Sequence, residues 1–264
     1  LSRILALLLA VICGAHGGVA ADAADRVVAA ALIKRVPPRY PAKAIERGQE
    51  GWVDLRFAIT PEGATSDIRI VASYPRGVFE RTAANALAKW VYAPRRENGI
   101  AVPQGDNRAV LSFALAESAS IREPLRPAFE AATSLVRAHR WDDAAKAIKE
   151  LTDTQALSLF ELAAIEQLRG EMAFAKLDYG AAADCFSRAL SITTRFDGET
   201  RAAIAGLLVM ASINGRDYAR AVQAFDAWNP PDTPATRELR RTVEAVRGAL
   251  AAGRPIELAP VAPR

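Results

Sequence analysis

The chain has only two cysteines, two histidines and two methionines in 264 residues. Two cysteines cannot form a disulfide framework. Two histidines are too few for a histidine-rich metal site or a histidine-based catalytic cluster. Past the first 21 residues no apolar run is long enough to span a bilayer, which excludes a polytopic membrane protein. Glycine (16) and proline (15) are too sparse for a collagen-like or low-complexity chain. No glycine-rich phosphate loop, GxSxG, HExxH or CxxC motif occurs, so no catalysis, cofactor or metal is expected. The adjacent Asp142-Asp143 pair stands at an expected helix start, where the helix dipole favours acidic residues. The net charge of +4 is too mild to make nucleic acid the expected partner.

What the chain does have begins with Ile4 to Ile12, nine apolar residues behind Arg3. Gly14, Ala15, Gly17, Gly18, Val19, Ala20 and Ala21 follow, interrupted by His16. This is the pattern of a secretory signal peptide over residues 1–21, with cleavage expected near Ala20 to Ala23. An uncleaved inner-membrane anchor and a lipoprotein acylated at Cys13 are the alternatives, and all three place the bulk of the chain in the periplasm. Cleavage leaves Cys185 alone, so no intrachain disulfide is expected. Residues 22–36 read as a short linker.

Charge divides the remainder. Residues 34–115 carry 13 Lys and Arg against 8 Asp and Glu, whereas residues 116–264 carry 19 against 20. That break supports two domains. In the first, Pro41 and Gly48 bracket a short helix. In Trp52 to Ile59, Val53, Leu55, Phe57 and Ile59 alternate with Asp54 and Arg56, which is a half-buried strand. Thr60-Pro61-Glu62-Gly63 is a turn, and Asp67 to Val71 is a second strand with Ile68 and Ile70 inward. Phe79, Ala83, Ala86, Leu87 and Trp90 form one helical face, read as core. Arg108 to Leu115 closes the sheet, with Leu111, Phe113 and Leu115 on one face. Trp52 is open between covering a helix and making an exposed contact. The expected class is α+β, a small antiparallel sheet with helices on one face.

Tyr40-Pro41, Gly51, the Thr60 to Gly63 turn and Phe79-Glu80-Arg81 through Trp90-Val91-Tyr92-Ala93-Pro94 together resemble the C-terminal domain of the TonB family, over residues 37–116. The resemblance implies binding of a short segment, the TonB box, of outer-membrane TonB-dependent transporters as an added strand. The implied edge is Ala109, Val110, Leu111, Ser112 and Phe113, and Arg39, Tyr40 and Pro41 are implied candidate transporter contacts. Backbone pairing would supply affinity in that mode, and an edge free of charge and proline suits it. The other reading of these residues is an ordinary strand covered by a neighbour. The chain departs from the family in its short approach, about 15 residues that reach roughly 50 Å fully extended. That reach puts an anchor-coupled motor role in doubt.

Residues 124–252 show helical periodicity rich in alanine. Trp141, Tyr179 and Tyr218 are each followed at +3, +7 and +10 by Ala144, Ile148, Leu151; Ala182, Phe186, Ala189; and Ala221, Phe225, Trp228. This resembles tetratricopeptide-type helix pairs. First helices are expected at about 127–139, 156–174 and 199–213, and a last helix from Thr236 to Leu250 as a cap. Such a stack would bind other envelope proteins or serve as a spacer or dimerisation surface. Cys185 reads as a small core residue and His139 as a capping or surface residue. Residues 253–264 are a proline-rich tail. Two functions compete: a transport-associated protein that captures transporter segments, and a periplasmic peptide-binding scaffold with no link to transport.

Overall fold

The computed structural model describes residues 27–115, 119–154, 156–256 and 258. The leader and most of the tail lie outside this range, so the expectations for cleavage, anchoring and acylation at Cys13 fall outside the described residues. No helix among the described residues is long and apolar enough to cross a membrane.

The elements run β1 (Val27–Val28), β2 (Ala31–Lys34), α1 (Ala42–Glu46), β3 (Gly51–Ile59), β4 (Thr65–Tyr74), α2 (Glu80–Leu87), β5 (Val91–Ala93), β6 (Arg96–Glu97), β7 (Ile100–Ala101) and β8 (Gln104–Phe113). Among the described residues seven α-helices follow: α3 (Arg126–Arg137), α4 (Trp141–Thr154), α5 (Leu159–Ala175), α6 (Tyr179–Ile192), α7 (Gly198–Asn214), α8 (Tyr218–Trp228) and α9 (Pro234–Ala251). The segment read as a short linker includes β1 and β2. These pair antiparallel with β6 and β5 and tie the N-terminal residues to the body.

The main sheet is antiparallel in the order β4-β3-β8. Val53 stands opposite Leu111, and Leu55 lies between Ala109 and Ile70. One face carries Val53, Leu55, Phe57, Ile59, Leu111 and Phe113 against Ala44 of α1 and against Phe79, Ala83, Leu87 and Trp90. Phe79 stacks on Phe113 at 4.3 Å between ring centres. Two glycines admit this packing. A Cβ on Gly51 would lie 2.1 Å from the Tyr74 carbonyl oxygen. Gly63 closes the Thr60 turn at φ +84°, where a Cβ would lie 2.0 Å from the Tyr92 carbonyl oxygen.

The opposite sheet face overturns the expectation of helices on one side. Trp52 is 3% exposed and belongs to the apolar core of α3 to α7, with Ala72, Tyr74 and Val110 packed against it. Asp54, which alternation assigned to solvent, is 0% exposed. The strand is therefore buried on both faces over Gly51 to Leu55. Ile70, expected inward, is 45% exposed on β4, the outer strand of this sheet. Leu115 is exposed because β8 ends at Phe113.

The C-terminal region is all-α. Ala144, Ile148, Leu151, Ala182, Phe186, Ala189, Ala221 and Phe225 are all buried. The turns before α4, α6 and α8 each place one residue in the left-handed region: His139, Leu177 and Arg216 at φ 57°, 63° and 61°. The next residue's amide then bonds back across the turn, Arg140 to Leu135, Asp178 to Ala173 and Asp217 to Ser212, each at 2.9 Å. Side chains of Asp178 and Asp217 cap α6 and α8. His139 also stacks on Trp141 at 4.9 Å. Cys185 is buried, and burial, reinforced by Glu166, pushes its thiol up to about 11.

Candidate functional site

Among the described residues, β8 pairs along one edge, with β3. Among the described residues, no other strand and no loop backbone bonds to Ala109, Val110, Leu111, Ser112 or Phe113 on the far edge. The two faces of β8 are nonetheless held. Leu111 and Phe113 are buried in the core beneath α2. On the other face Val110 packs against the helical core, while Ser112 is exposed. The packing of Leu111 and Phe113 on one face and Val110 on the other holds the open edge extended, which lowers the ordering cost of accepting another strand.

Arg108 anchors this strand to the helices. Its Nε donates to Asp54 Oδ1 at 2.8 Å and its Nη2 to Asp54 Oδ2. Its Nη1 donates to Asp184 of α6 at 2.6 Å. Asp184 also takes Arg220 of α8 at 2.8 Å. Arg188 of α6 reaches Asp54 at 3.3 Å and Glu166 of α5 at 2.7 Å, with its guanidinium 5.5 Å from the Trp52 ring centre. Burial pushes the Asp184 carboxyl up, but Arg108 and Arg220 outweigh it and hold the group below its ordinary range. Glu50 completes the junction: its carboxylate accepts from the Leu115 amide at 2.8 Å and from the Leu159 amide, at the first turn of α5, at 2.9 Å.

These charged residues were not singled out from the sequence. Asp54 and Arg188 are 134 positions apart, and no spacing rule connects them. The one signal available was an acidic residue in the middle of an otherwise apolar strand.

The three candidate contacts near the start of the domain have different settings. Tyr40 meets Phe79 and Phe113 edge-on, at 5.6 and 5.7 Å, so it packs against the sheet core near the C-terminal end of β8. Its hydroxyl donates to the Gln49 carbonyl at 2.6 Å. Burial, reinforced by Glu50, pushes the phenol up to about 12. Pro41 is the N-cap of α1. Arg39 is exposed and lines a cleft of about 480 Å³ with Val36, Pro37, Thr82, Asn85 and Lys89. Trp90 fixes the near wall, its indole N–H donating to the Val36 carbonyl at 2.9 Å. Among the described residues, no group of three His, Cys, Asp or Glu is arranged to hold a metal.

Residues 36–106 match the family model described as the Gram-negative bacterial TonB protein C-terminal. These residues are a TonB-family C-terminal domain. Protein TonB of Pseudomonas aeruginosa is 43% identical over 63 residues, which is 24% of this chain and 18% of that protein. Protein TonB of Escherichia coli is 37% identical over 71 residues, 26% of this chain and 30% of that protein. The chain thus spans less than a third of the length of these relatives. Among solved structures, that of the P. aeruginosa TonB C-terminal domain is 32% identical, with 34% of this chain and 89% of that one covered at a TM-score of 0.31. The matched TonB model ends at Asp106, three residues into β8, so Ala109 to Phe113 lie beyond it.

Proposed function

We propose that the TonB-type domain captures an extended segment of outer-membrane TonB-dependent transporters in the periplasm by pairing it with the outer edge of β8. The protein acts without catalysis, as a binding component of energy-dependent transport. The observation that carries this reading is the β8 edge, which lacks a backbone partner among the described residues on a strand whose two faces are both packed. Arg39 and the Tyr40-Pro41 step are proposed as secondary contacts; the packing of Tyr40 on Phe113 supports this for the tyrosine. Residues 37–116 and 124–252 are read as two modules, the second a tetratricopeptide-like set of helix pairs. The threefold recurrence of one turn geometry supports that reading. The leader at 1–21 is read as an export signal, with inner-membrane anchoring as its alternative.

The test is fluorescence anisotropy of a labelled TonB-box peptide with the full chain and two proline variants, Leu111→Pro and Ser112→Pro. Successive strand residues send their N–H groups to opposite edges, so one variant loses a ladder donor and the other loses an edge donor. The expected result is binding by the parent chain and at least a tenfold loss in a variant that keeps its circular dichroism. Equal binding by both folded variants and the parent overturns the edge assignment, and so does a parent chain that does not bind.

A further inference from the structure

We propose that a groove between α4 and α5 is a second binding site, which takes a partner's peptide segment carrying acidic side chains next to an apolar one. The groove has a volume of about 290 Å³, with Ile148, Met172 and Ala173 on its floor and Lys149, Arg169 and Lys176 around it. The helical region as a whole has one more acid than base, yet three cations converge here. The acid among the lining residues, Asp178, is engaged in capping α6, where it accepts from the Ala181 amide at 3.1 Å. Lys149 pairs with Asp153 on the exposed surface of α4, and Lys176 makes no ion pair among the described residues.

Arg169 gives the groove its character. It bonds Glu166 at 2.7 Å, and Glu166 is shared with Arg188. From there the ion pairs run through Asp54, Arg108 and Asp184 to Arg220. Among the described residues these ion pairs join four guanidiniums to three carboxylates. Six of the seven members of this set are at most 25% exposed, whereas Arg169 is 39% exposed and lines the groove. Arginine does not shed its proton, and Arg169 is the member of the set that an anion in the groove can reach. A guanidinium already oriented by Glu166 forms a charge-assisted bond with little further ordering. An aliphatic side chain beside that acid has Ile148 and Met172 to lie on.

The site is independent of the β8 edge, and its test reads a different part of the molecule. The chain contains two methionines, Met172 and Met210. Met172 lines the groove, and Met210 packs on the separate cluster of α7 to α9. The full chain labelled with ¹³C at the methionine methyls is titrated with acetyl-Asp-Leu-Glu-Leu-amide. A parallel titration uses acetyl-Lys-Leu-Lys-Leu-amide. The expected result is a saturable shift of the Met172 methyl with the acidic peptide alone and a stationary Met210. The affinity should fall at least tenfold in a Lys149→Glu, Lys176→Glu double variant, whose exposed sites tolerate the change. A Met172 signal that does not move at millimolar peptide overturns the proposal. So does an equal response to the basic peptide, or an unchanged titration in the double variant.

Discussion

Asp54→Ala lowers the stability of the full chain by about 3 kcal/mol, the lower end of the cost of breaking a buried ion pair from one side. Asp54 is fully buried and holds both Arg108 and Arg188. Its removal leaves two guanidiniums at the interface that stay charged. Arg108 keeps Asp184 and Arg188 keeps Glu166, which is why the loss sits at the lower end. Urea unfolding followed by circular dichroism measures it. A loss under 1 kcal/mol would mean that the sheet and the helices do not depend on this junction.

Trp52→Ala costs about 4 kcal/mol, the usual loss for a buried tryptophan that leaves a cavity. Trp52 is a sheet residue in a helical core, so the loss should appear in the unfolding of the helices as well as the sheet. Helix signal at 222 nm and a probe in the sheet should move together to lower urea concentration. Because Arg188 lies over the Trp52 ring and also binds Asp54, the double variant should fall short of the sum of the two single losses. A helix transition that stays at the parental urea midpoint while the sheet probe shifts contradicts the shared core.

Both expectations rest on a sheet with helices on each face, and that arrangement was only half legible. The helical region announced itself through local chemistry. Asp178 and Asp217 cap the helices that begin at Tyr179 and Tyr218, and the +3 and +7 positions after each aromatic are buried. The Thr60 to Gly63 turn and the face of Phe79, Ala83 and Leu87 were equally readable, because caps, turns and helical faces depend on neighbours within a few residues. Asp54 defeated the same logic. Alternation says only that Asp54 and Leu55 point to opposite faces, not that a helix from 130 residues downstream will cover the polar one. β1 and β2 were missed for a related reason: Val27, Val28, Leu32 and Ile33 are all exposed, so no buried stripe marks these strands, and their pairing with β6 and β5 is wholly non-local.

The covered face also narrows how the proposed edge could be approached. On that proposal a partner strand would meet β8 from the side, since α2 occupies one face of the sheet and α5 and α6 the other. Arg108 lies in the same strand as the edge and is bonded to α6, so the helical region braces the edge.

Amide hydrogen exchange of the full chain with and without a TonB-box peptide tests the central claim most directly. If an added strand pairs with β8, every second amide between Ala109 and Phe113 should slow at least tenfold, since alternate N–H groups face the open edge. Exchange in this stretch that is unaltered at saturating peptide, or slowing confined to α5 and α6, would contradict it.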